Sequence, residues 1–157
     1  MVMRTTSRAL AVERLKATAL DLVSLVGPVD PARLNREPAR EEWSAAVVVA
    51  HLADTEAVYG ERVRRMLTED RPRLEAFDEK VWARRFAPLE PGARETLQRW
   101  RSQREANTRI FESLSADEWE LVGVHSRRGR LTVAAIADEL VAHDRDHLDQ
   151  IRRALAG

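Results

Sequence analysis

The sequence predicts an all-α protein, a four-helix bundle. Four segments carry apolar residues at alternating spacings of three and four, the mark of a helix with one face turned inward. No segment shows the residue-by-residue alternation of a half-buried strand; the one apolar cluster, Val47 to Ala50, lies inside a helical pattern. Proline and glycine interrupt the chain between these segments, and helices of this length with little else between them pack as a bundle.

The first helix is expected over residues 5–26, with Val12, Leu15, Ala19, Leu22 and Val26 as its stripe and Gly27-Pro28 as its stop. Asp30-Pro31 has the form of an N-cap followed by proline at the first helical position, enough for a single turn. The second helix is expected from Glu41-Glu42, acidic residues that suit the positive end of a helix dipole. It runs to Leu67 and places Trp43, Val47, His51, Asp54 and Val58 on one face. Residues 68–91 form a link with Pro72, Pro88 and Pro91 around one short amphipathic piece, Leu74 to Phe86. Such a link exceeds a simple bundle turn, and long connections often carry function.

The third helix follows Pro91-Gly92, with Leu97, Trp100, Phe111 and Leu114 inward. Ser115 and Glu118 make a capping box that opens a turn containing Trp119. The polar stretch His125 to Arg130 reads as a loop, and Thr132 caps a fourth helix. Its stripe is Val133, Ile136, Leu140, His143, His147 and Ile151. Trp82, Phe86 and Trp119 are read as exposed apolar residues that suit a lid or a homodimer interface.

The 157 residues are expected to form one domain, 1–157, large enough for a core of its own. Basic and acidic residues balance at 26 each. No net field therefore draws the chain to nucleic acid or to an anionic membrane. The absence of cysteine excludes disulfides and thiolate-bound zinc, and any thiol chemistry must use an external thiol. No apolar run is long enough to span a bilayer, and Arg4, Arg8, Arg14 and Lys16 break any signal-peptide core. The expected location is cytoplasmic.

Three histidines stand at stripe positions. His143 and His147 are four apart and so share a helix face; His51 lies between Val47 and Val58 on the second helix. Burying an unpaired imidazole costs about 1–3 kcal/mol, so three such positions need a common cause. One divalent metal supplies it, because neutral imidazole nitrogens are good ligands for zinc and nickel. Alone, a His-x-x-x-His pair is more often packing than metal; a third inward histidine on another helix tips the balance. Three protein ligands leave one position open, the pattern of a catalytic zinc site.

Other metal motifs fit less well. His143 to His147 has the spacing of a zinc metalloprotease helix, but Asp144 stands where the catalytic glutamate belongs and no further ligand follows. A di-iron site needs two inward Glu/Asp-x-x-His runs in one direction. Only Asp144 to His147 qualifies, since His51 to Asp54 runs in reverse. Asp54 is a candidate proton acceptor or orienting group, and Glu139 and Gln150 flank the histidine pair as candidate supporting groups. Asp144 and Asp146 are expected to point outward and pair with Arg145 or Arg152.

Trp43-Ser44, the run AHLAD over residues 50–54, and Glu56, Tyr59 and Arg62 resemble the first metal-binding helix of the DinB/YfiT-like superfamily. Residues 74–78 (LEAFD) with Trp82-Ala83 resemble its connecting segment, and GRLT (129–132) with AHDRDHLDQI (142–151) its closing helix. The resemblance covers nearly the whole chain. It implies a four-helix bundle connected up-down-down-up, with nickel or zinc held by His51, His143 and His147. It further implies a small-molecule substrate and a transferase using a low-molecular-weight thiol such as bacillithiol, mycothiol or glutathione, in detoxification or stress response. A hydrolase in which the metal activates water is the second expectation, and a non-catalytic metal- or ligand-binding bundle the third. Arg127, Arg128 and Arg130 are candidates to hold a carboxylated thiol or substrate.

Overall fold

The structure is a computed structural model that describes the backbone of residues 2–157 and the side chains of residues 8–157. Four long helices form the bundle: α1 (Val2–Val26), α3 (Ala45–Thr68), α5 (Ala93–Ser113) and α6 (Val133–Ala156). Two short helices, α2 (Pro31–Asn35) and α4 (Glu79–Phe86), sit in the connections. Helix α1 packs against α5 and α6, and α3 packs against the same two, so α1 and α3 lie diagonally opposite.

Contacts between named residues give the directions. Thr18 of α1 meets Asp144 of α6, and Lys16 meets Glu112 of α5. Glu56 of α3 meets Arg104 of α5 while Asn107, one turn on, meets the Glu56 backbone. Helices α1 and α6 run one way and α3 and α5 the other, so the connection is up-down-down-up. Because α3 and α5 are parallel, the chain must return along the whole bundle between them. That geometry, not loop disorder, explains the long stretch after Thr68.

The second helix begins later than its sequence suggested. Glu41 has φ 65°, in the left-handed region that a helix cannot include. Ser44 provides the cap instead, its Oγ accepting from the Val47 N–H at 3.3 Å.

A small sheet takes in residues 122–132, where the sequence predicted a loop over His125 to Arg130. β1 (Arg73–Leu74) pairs in parallel with β2 (Val122–His125), which pairs antiparallel with β3 (Gly129–Thr132). His125 lies opposite Gly129, so residues 126–128 form a three-residue hairpin loop followed by Gly129 at φ 73°. The inward residues of β2 are Gly123 and His125. No apolar alternation marks the strand, because a glycine and a histidine hold its inner positions. A Cβ on Gly123 would stand 2.5 Å from Leu74 Cδ1 and 3.2 Å from Met66 Cγ, so glycine lets β1 and β2 close on α3 without displacing either side chain.

The apolar core falls into two clusters. One joins Leu22 and Val26, Val48 and Leu52, Leu97 and Trp100, and Leu148 and Ile151. The other joins Val12 and Leu15, Val63 and Met66, Phe111, and Ile136 and Leu140. Trp119 belongs to the second, buried and stacked on Phe111 at 5.6 Å, and is not the exposed residue its flanking sequence suggested. Trp82 is half-buried between Phe77 and Phe86.

Charged residues lie between the clusters. Arg104, 2% exposed, donates to Asp144 at 2.5 and 3.0 Å and to Glu56 at 2.7 and 3.0 Å. Thr18 donates to Asp144 at 2.5 Å, and Asn107 donates to Glu56 at 2.8 Å. All four bundle helices thus meet in one hydrogen-bonded layer. Burial alone would lower the Arg104 pKa, but Asp144 and Glu56 more than reverse this and hold it charged. Asp144 therefore points inward, contrary to expectation, and Arg152 pairs with Asp149 instead.

Candidate metal centre

Ser44 starts α3 seven residues before His51, and Thr132 starts α6 by accepting from the Ala135 N–H at 3.1 Å. Because α3 and α6 are antiparallel, His51 faces the His143–His147 pair across their seam. The three Nε2 atoms converge: His51 to His143 is 2.9 Å, His51 to His147 is 3.1 Å, and His143 to His147 is 3.1 Å. His51 is buried, whereas His143 and His147 are half-buried at the margin of the core. The residue of α6 that takes the central core position is Asp144, not either histidine.

Hydrogen bonding cannot satisfy such a triangle. Each Nε2 is either a donor or an acceptor in a neutral ring, so at least one pair sets N–H against N–H or lone pair against lone pair. A cation resolves the conflict. Nitrogens bound to one tetrahedral zinc ion at 2.0–2.1 Å stand about 3.3 Å apart, close to the spacing here. These are the residues among those described that bring three such donor atoms together.

The surroundings suit that role. Gln150 Oε1 lies 2.7 Å from His147 Nδ1 and accepts a hydrogen bond from its N–H, which leaves the Nε2 lone pair facing the other histidines. Burial, with His147 and His143 nearby, lowers the His51 pKa to about 3. Burial, with His147 and Arg104 nearby, lowers that of His143 to about 3 as well. Both rings are neutral at pH 7, the form a metal requires. His143 Nδ1 is buried without a hydrogen-bond partner in the described structure.

A cleft of about 500 Å³ opens beside the cluster, lined by Trp43, Glu79, Lys80, His147, Gln150 and Arg153 among others. A second hollow of about 860 Å³ shares Trp43 and Lys80 with it. The Trp43 ring lies 5.3 Å from that of His51 and walls the cluster from the cleft side.

The other residues singled out in the sequence lie elsewhere. Asp54 is half-buried toward α5, its pKa raised by burial and partly countered by Arg99. Glu139, one turn before His143, accepts two hydrogen bonds from Arg128 at 2.8 and 2.9 Å and one from Tyr59 at 3.3 Å. Arg128 is thereby engaged; Arg127 and Arg130 are exposed on the hairpin. His125 is buried at the end of β2, where its Nδ1 accepts from the Arg127 N–H. Glu79, which the sequence did not single out, lies 3.9 Å from His51 Nε2.

Residues 14–151 match the DinB superfamily. The chain belongs to that superfamily. A four-helix bundle is also the fold of a similar solved structure. YfiT from Bacillus subtilis aligns with TM-score 0.85 over 94% of this chain and 85% of its own, at 20% identity. It is described as "a probable metal-dependent hydrolase with an unusual four-helix bundle topology". A protein of Oceanobacillus iheyensis named "Putative metal-dependent hydrolase" is 25% identical over 135 residues, 83% of this chain and 75% of that protein. No helix among the described residues is long and apolar enough to cross a membrane.

Proposed function

We propose that this DinB superfamily chain is a metal-dependent hydrolase of a small-molecule substrate, with His51, His143 and His147 holding one divalent ion. The observation that carries the reading is the convergence of three Nε2 atoms within 3.1 Å of one another, a set that hydrogen bonds cannot satisfy. When bound, a divalent metal with an open position acts as a Lewis acid and lowers the pKa of water to about 7. The chain's part is to keep the rings neutral by burial, to fix the His147 tautomer through Gln150, and to offer substrate the cleft beside Trp43. Glu139 takes no direct part, since its partners are Arg128 and Tyr59, and Asp54 has no direct part either, lying half-buried on the α5 side near Arg99. The names of the two relatives favour hydrolysis over the thiol transfer that the sequence put first.

Thiol transfer is the second reading. It is favoured by the mixed charge of the cleft, where Lys80 and Arg153 stand with Glu41, Glu42 and Glu79 and suit a peptide-like thiol that carries both carboxylate and ammonium groups. Nickel and zinc are the ions to test. Purified protein is expected to contain close to one equivalent of either, lost in His51→Ala while the helical circular dichroism persists. Protein without metal would overturn the reading. Metal-dependent cleavage within a panel of esters and amides supports hydrolysis. Turnover only when a thiol and an electrophile are supplied together moves the chain to the transferases, and metal binding with neither activity makes it a binding protein.

A further inference from the structure

We infer that Glu79 stands over the open side of the histidine cluster and selects there for neutral, proton-bearing ligands over anions. The inference rests on the metal reading above and names the ligand class of that same site. The Glu79 carboxylate lies 3.9 Å from Nε2 of His51, the atom aimed at the other two histidines, not from the back of the ring. Ligand atoms on one tetrahedral ion are about 3.3 Å apart. The carboxylate is just beyond that spacing, and it stands outside the group of donor atoms that all lie within 4.8 Å of one another. It is too far out to be a fourth ligand, and at the right remove to accept a hydrogen bond from whatever takes the fourth position.

Its setting fits that part. Glu79 lines the same cleft as His147 and Gln150, so it faces the side from which a ligand arrives. It is the first residue of α4, whose cap Asp78 accepts from the Val81 N–H at 3.0 Å. An acidic side chain suits the positive end of a helix. Among the described residues the carboxylate accepts no hydrogen bond, and it borders the cleft. A water, alcohol, amine or protonated thiol donates a hydrogen bond to it. An anion there meets a like charge, and the metal's attraction for it is offset.

Cobalt(II) loading with an azide titration followed by visible absorption tests this. Azide is expected to bind Glu79→Gln about five- to twenty-fold more tightly than wild type at low ionic strength, with cobalt stoichiometry unchanged. Glu79→Asp, which keeps the charge, should retain the weak binding of the parent. Equal azide affinity in wild type and Glu79→Gln overturns the inference and leaves the metal site standing. Loss of cobalt from Glu79→Gln, with its circular dichroism intact, also overturns it by making the carboxylate a ligand. Wild type that binds no cobalt removes the metal reading itself, and this inference with it. The side chain is about half exposed, so neither substitution disturbs packing.

Discussion

His51 and His143 couple the site to pH through burial. Each has a pKa near 3 in the fold, against 6.5 when free. Between those values the unfolded chain binds protons that the folded chain refuses, so stability falls as pH falls through this window and is fully present above 6.5. Chelated protein should lose up to about 1.4 kcal/mol per pH unit for each histidine between pH 6 and 5, before carboxylates begin to titrate. Urea midpoints across that range measure it, and His143→Leu should show a shallower slope. A flat profile in wild type would contradict the burial argument. At this scale the sequence was partly legible. Four-residue spacing showed that His143 and His147 share a face, but not which neighbour takes the core; a shift of one position along α6 brought Asp144 inward. Glu79 carried no signal, because its place beside His51 comes from a fold-back of the chain that local spacing cannot reveal.

The elements show what periodicity can and cannot find. All four bundle helices were legible, because each repeats its apolar residues over several turns. The strands were not, since β2 turns only Gly123 and His125 inward. The sheet nevertheless sets the position of the segment leading into α4. Leu74 is held against Gly123, and Ser126 N–H donates to the Leu74 carbonyl at 2.9 Å. Gly123→Ala would force a methyl group into Leu74 and Met66, with a cost of about 1–3 kcal/mol. Thermal unfolding of that variant tests whether the close approach is needed. Azide affinity of the same protein loaded with cobalt tells whether the shift reaches Glu79 and the cleft. An unchanged melting temperature would mean that β1 can retreat freely.

Across the whole molecule, the layer around Arg104 separates two apolar clusters and ties α1, α3, α5 and α6 at one level. It was legible in principle: Glu56, Arg104 and Asp144 each interrupt an apolar stripe on a different helix, at a spacing where a leucine would be expected. Read one helix at a time, each passes for a surface charge. Arg104→Met should destabilise the fold by about 3–5 kcal/mol, because it leaves two carboxylates buried without a counter-ion. Adding Glu56→Gln and Asp144→Asn should restore much of that loss in denaturant titrations; no loss in the single variant would show that water already reaches the layer. The division of the three histidines between two helices has a further consequence, in the order of events during synthesis. Helix α3, with His51, is made before α6, which supplies the other two histidines and one side of both clusters. An ion that needs all three rings cannot order the earlier helices before α6 has been made.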